Sequence, residues 1–269
     1  MSGLHIIVCG SVVPDPLQSL VPQMTPNGPA LQNEMMLPHV LDPWAAHALY
    51  EAADLAQTVP ESKVTLVSLG PKAKLQQVMM TIAQKVKFEL VAIDGSASGF
   101  TESSQMAEKL ANAIQQLPEL DMSNLLIFGG WESASRASGT TMQMIGEMLG
   151  IVDQFQGVDE ISMNDDGSFR VLERVEGGQH QVSVCAGPPA VLGWATGNLP
   201  EPPNNPQIGM QNMRTVMPAI QKAQSADVTD SGLGYKSADV PVQKRDTKIV
   251  KDSSPQDIAK EIVKWLKES

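Results

Sequence analysis

Apolar positions in the first two thirds of the chain fall into two alternating patterns. Residues 6–9, 64–69, 90–93 and 125–128 are short, nearly continuous apolar runs, as expected of strands buried on both faces of a sheet. Between them, apolar residues recur at helical spacing. Trp44, Ala48, Ala52 and Leu55 form one stripe, and Leu75, Val78, Met79, Ile82 and Val86 a second. Met106, Leu110, Ile114 and Leu117 form a third, and Ile145, Met148 and Leu149 a fourth. Asp42-Pro43 marks a helix start, because Asp can cap free N–H groups and Pro suits the first turn. Repeated strand–helix units of this kind predict an α/β fold with an open, doubly wound, mostly parallel sheet and right-handed crossovers.

After Gly150 the pattern changes. Turn clusters at Asn164-Asp165-Asp166-Gly167 and Glu176-Gly177-Gly178-Gln179 flank residues 169–175 and predict a β-hairpin or meander. Residues 190–194 return to the sheet. The stretch 197–213 holds four Pro, four Asn and two Gly in 17 residues, which reads as irregular chain. Beyond it, 218–223 predicts one short helix, and 225–252 is polar. Ser254-Pro255-Gln256-Asp257 then opens a helix with Ile258, Ile262, Trp265 and Leu266 on one face. That face needs a surface to bury it, in this domain or in another subunit. The expected division is an α/β domain over 1–196 and an extended C-terminal arm over 197–269.

Composition narrows the function. A formal charge of −11 argues against duplex nucleic acid, and no basic run exceeds Lys244-Arg245. With 4% aromatic residues and 15 Met, the core is expected to be aliphatic and Met-filled. Cys9 and Cys185 form neither a metal-spacing pattern nor a disulfide framework. The N-terminal apolar run lacks a charged n-region, and nowhere do 18 apolar residues run together, so a soluble, cytoplasmic chain is expected.

No phosphate-loop, dinucleotide-fingerprint or nucleophile-elbow motif occurs. The four His do not cluster with Cys or carboxylates, and His47 reads as a semi-buried helix residue rather than a base. What remains is position. In an open parallel sheet, ligands sit outside the carboxyl ends of the strands. Four places there carry suitable chemistry: Cys9-Gly10-Ser11, Asp42-Pro43, Ser68-Leu69-Gly70-Pro71, and the Ser/Thr-rich stretch 129–141. In the last, Ser135, Arg136, Gly139, Thr140 and Thr141 lead into a helix whose first N–H groups favour an anion. A Ser-rich loop without a ligand would have the same composition.

In this order, the segments resemble the electron-transfer flavoprotein β-subunit family. The opening Ile7-Val8-Cys9-Gly10-Ser11-Val12-Val13-Pro14-Asp15 is similar to its first strand and Val-Pro-Asp turn. Asp42-Pro43-Trp44 is similar to its Asn-Pro-Phe helix opening, and residues 64–71 to its second strand and Gly-Pro loop. Thr141-Met142-Gln143-Met144 stands against Thr-Gly-Gln-Met. Glu173-Arg174-Val175-Glu176-Gly177-Gly178 resembles the signature hairpin, and Leu199-Pro200-Glu201-Pro202 the loop that docks onto dehydrogenases.

The resemblance implies an adenine-nucleotide α-hydrolase or Rossmann-like fold and an obligate heterodimer. An α-subunit would hold most of the FAD, and AMP or a second FAD would sit in this chain. It also implies an arm that wraps the α-subunit, docking to a flavin-dependent dehydrogenase, and an electron carrier rather than an enzyme. The implied nucleotide contacts are Cys9, Asp42, Leu69, Gly70, Ser135, Arg136, Gly139, Thr140 and Thr141, with Leu199 as docking anchor. Departures are Ser11 for a basic residue, Ser135 and Ala137 for acidic ones, Thr140 for Gln, Met142 for Gly, and an added Arg136. Two alternatives stay open: a nucleotide sensor of the universal-stress type and an inert scaffold.

Overall fold

The computed structural model describes residues 3–96, 98–228, 235–242, 247, 249–251 and 253–268; Lys244-Arg245 lies outside the described residues. Strand β1 (His5–Cys9) is followed by four short strands, β2 (Val12–Pro14), β3 (Pro22–Thr25), β4 (Gly28–Leu31) and β5 (His39–Leu41). These pair antiparallel as β2–β5 and β3–β4, outside the main sheet. The strand–helix repeat then runs through α1 (Pro43–Thr58), β6 (Lys63–Gly70), α2 (Lys72–Ile82), β7 (Glu89–Asp94), α3 (Ser103–Gln115), β8 (Leu125–Gly130) and α4 (Thr141–Met148). A meander of β9 (Gln154–Met163), β10 (Phe169–Val175) and β11 (Gln179–Cys185) follows. Next come β12 (Ala190–Trp194), α5 (Pro206–Gln221) and β13 (Gln224–Ser225).

Nine strands make one sheet in the order β11-β10-β9-β12-β8-β1-β6-β7-β13. Every pair is parallel except β9–β10 and β10–β11. Alternation along the strands explains the two helix layers. Ile6 and Val8, Leu66, Leu126 and Phe128 pack with α1 and α2 on one face. Ile7 and Cys9, Val67 and Leu69, Leu125 and Ile127 pack with α3 and α4 on the other. Both sets are buried, which is why these strands read as unbroken apolar runs.

From β1 the chain crosses to β6 on one side and later places β8 on the other. The order therefore reverses at β1, and the loops leaving β1 and β8 diverge there and open a crevice.

The irregular reading of 197–213 is corrected in its second half, and the short helix expected over 218–223 is the end of a longer one. Asn205 caps α5 by accepting from the N–H groups of Gln207 and Ile208, and Pro206 occupies the first turn. Pro218 lies inside α5 instead of opening a helix of its own. Asn212 explains why the helix holds to the sheet domain there. It is buried, and its side-chain amide donates to the carbonyls of Ala83 and Val86 at 2.8 and 2.7 Å.

By its internal packing the chain divides into two units, Met1–Ala238 and Asp239–Ser269. The second contains α6 (Pro255–Glu268), opened by Ser254, whose Oγ accepts from the Asp257 N–H at 3.2 Å. Trp265 is 50% exposed and Leu266 74%. Among the described residues no helix is long and apolar enough to cross a membrane.

Candidate functional site

The carboxyl ends of β1, β6 and β8 open into a narrow cleft lined by the loops that leave them. Cys9, Asp42, Leu69, Ser135, Arg136, Gly139, Thr140 and Thr141 all line it, although they come from four separate segments. Gly70 does not: it lies beside the cleft, where its carbonyl accepts from the Gly95 N–H at 3.2 Å. Leu199 lies in a different region, with its N–H and that of Asn198 donating to Glu51 Oε1 at 3.2 and 3.0 Å. His47 is partly buried, edge-on to Tyr50, and is not part of the lining.

Asp42 organises the cleft. It is buried at the start of α1, where Oδ1 accepts from the Trp44 N–H at 3.1 Å and caps the helix. Its other oxygen, Oδ2, accepts from the Ala134 N–H at 2.9 Å and so ties the β8–α4 loop to α1. Burial pushes the carboxyl up to about 6; the N–H bonds oppose that shift and the charge of Glu132 adds to it. Cys9 forms part of the floor, and burial pushes its thiol up to about 12, so it is no nucleophile at neutral pH.

The β8–α4 loop turns back on itself. The Ala137 N–H donates to the Ser133 carbonyl at 2.8 Å, and Ala137 and Gly139 both adopt left-handed backbone, with φ of 50° and 64°. Gly suits that region, whereas Ala is strained in it. The chain then enters α4 at Thr141 with no side chain capping the helix. Its first N–H groups are therefore available to an anion, with the hydroxyls of Ser135, Ser138, Thr140 and Thr141 nearby in the lining.

Two further observations bear on whether a nucleotide fits. Trp131 also lines the cleft, and its indole Nε1 is buried with no hydrogen-bond partner among the described residues. That atom has no exposed surface, so it is not presented to the open cleft, and part of the ring faces Gly157. Met142 stands where the resembling family has Gly, and Gly129 makes room for it, since a Cβ there would collide with the Met142 sulfur. The Met side chain packs into the core and also contributes to the lining of the cleft. The uncapped α4 start, the loop hydroxyls and Arg136 are donors that suit a phosphate group.

Sequence reasoning misses the β7–α3 loop. Ser98, Gly99 and Ser103 complete one wall of the cleft. Ser103 and Ser138 share a hydroxyl–hydroxyl hydrogen bond of 2.8 Å, and Arg136 Nη1 lies 3.6 Å from Glu102 Oε1. A signal for it exists: this loop also leaves the carboxyl end of a parallel strand and is rich in Ser and Gly.

No curated protein matches the chain. Residues 33–231 match the electron transfer flavoprotein domain, a span that takes in Asp42, Leu69, the whole β8–α4 loop, the meander and Leu199. With most of its length inside that match, the chain belongs to the electron transfer flavoprotein domain family.

Proposed function

We propose that this chain is the β-subunit of a heterodimeric electron-transfer flavoprotein and that its cleft binds AMP, or the adenylate half of a second FAD. The observation that carries this reading is the convergence of an uncapped α4 N-terminus, loop hydroxyls and Arg136 on one crevice at the sheet's switch point. Backbone N–H groups and Arg136 would hold the phosphate, while Asp42 and Leu69 would flank the adenine.

The FAD held mainly by an α-subunit would supply the redox chemistry, accepting electrons from a flavin-dependent dehydrogenase and passing them to an acceptor. This chain's residues position and shield: its part in electron flow is structural if the ligand is AMP. Leu199, held in place by Glu51, would be the dehydrogenase anchor. The apolar stripe of α6 would offer a surface to the α-subunit.

Heat denaturation of the purified protein, followed by mass spectrometry of the released small molecules, tests the reading. One AMP per chain, or one FAD per chain beyond the α-subunit's own, is expected. Protein that folds and pairs normally yet releases only the α-subunit's FAD would overturn it.

A further inference from the structure

Arg136 is the one basic side chain among the described residues lining the cleft, and the carboxylates of Asp42 and Glu132 share that lining with it. Glu102 is not in the lining. It stands beside Arg136 at the start of α3, with side-chain exposures of 27% for Glu102 and 19% for Arg136. The neighbouring Ser103–Ser138 hydrogen bond holds the two loops at a fixed spacing. At 3.6 Å the guanidinium and carboxylate are an ion pair, but Glu102 does not occupy Arg136 as a bidentate fork would. Guanidinium has five N–H donors, and a pair this loose can be broken when a second acceptor draws the group toward itself.

We propose that Glu102 is a positioning residue that competes with a ligand phosphate for the Arg136 guanidinium. It thereby sets how strongly the cleft favours a phosphorylated adenosine over adenosine itself. This rests on the reading of the cleft as an adenylate site. The physical argument is competition: the carboxylate holds the guanidinium toward itself, so a phosphate in the cleft must draw it away from that partner, and both groups are sheltered enough from water for the loss to matter. Adenosine carries no phosphate and does not feel the competition.

Isothermal titration with AMP and with adenosine tests this on the intact protein. Glu102→Gln keeps the side chain's size and removes its charge. Its AMP affinity should rise about three- to tenfold, the scale of a partly sheltered ion pair, with adenosine affinity unchanged. In an Arg136→Gln background the same Glu102→Gln change should leave AMP affinity unaltered, because the competed-for group is gone. Unchanged adenosine affinity also shows that the variant folds. AMP affinity that is unchanged or weaker in Glu102→Gln overturns the proposal, as does an equal gain in the Arg136→Gln background. Either result leaves the nucleotide site standing. Failure of the native protein to bind AMP or adenosine overturns both.

Discussion

Asp42→Asn isolates the cost of burying a charge at the cleft. In the folded protein the Asp42 carboxyl is pushed from 3.8 up to about 6. A carboxyl with a raised folded pKa favours the folded state when protonated, so its contribution is fully present below pH 3.8 and is lost as pH rises through about 6. Between pH 4.0 and 7.5 that loss amounts to about 2 kcal/mol. Asn does not titrate. It retains one acceptor oxygen and so leaves the N–H of Trp44 or of Ala134 without its bond, a pH-independent cost of about 1–2 kcal/mol. The difference in unfolding free energy between variant and native protein should therefore move by about 2 kcal/mol in the variant's favour from pH 4.0 to 7.5. Urea unfolding at the two pH values, which lie either side of the pI of 4.8, reads it directly. A difference that is constant with pH, or that moves against the variant, would refute the assignment of burial as the dominant influence on Asp42.

Three other substitutions have defined outcomes. Arg174→Leu removes the bidentate partner of Asp159, whose side chain is 5% exposed; a loss of about 2 kcal/mol in urea unfolding is expected, less than for a fully buried pair because Arg174 is itself 40% exposed. Gly130→Ala would place a Cβ 2.6 Å from the Glu132 carbonyl oxygen and 2.7 Å from Trp44 Cβ. Backbone on one side gives it no room, so about 1–3 kcal/mol of destabilisation and a lower melting temperature should follow. Leu199→Ala should slow electron exchange with the dehydrogenase while leaving heterodimer formation intact; equal slowing with an artificial dye acceptor would show that the loop is not a docking element.

The parallel core was legible because its strands are buried on both faces: residues such as Ile6, Ile7 and Val8 leave no polar position to blur the pattern. The meander was legible from its turns. Less visible was α5, because Asn205-Pro206 is a strong start signal set within a run of Pro and Asn that suggests irregular chain. The packing of Asn212 onto Ala83 and Val86, which stabilises that helix, is a long-range contact that no local pattern encodes. At the cleft, the Ser/Thr-rich loop could be read from sequence, since it had to leave a strand's carboxyl end. The tie from Asp42 to Ala134 and the Glu102–Arg136 pair could not, because each joins segments far apart in the chain.

A crystal structure of the protein with AMP tests the central claim most directly. The account predicts phosphate against the first N–H groups of α4 and the Arg136 guanidinium, with adenine toward Asp42 and Leu69. AMP bound elsewhere on the molecule, with this cleft closed over by its own side chains, would contradict it.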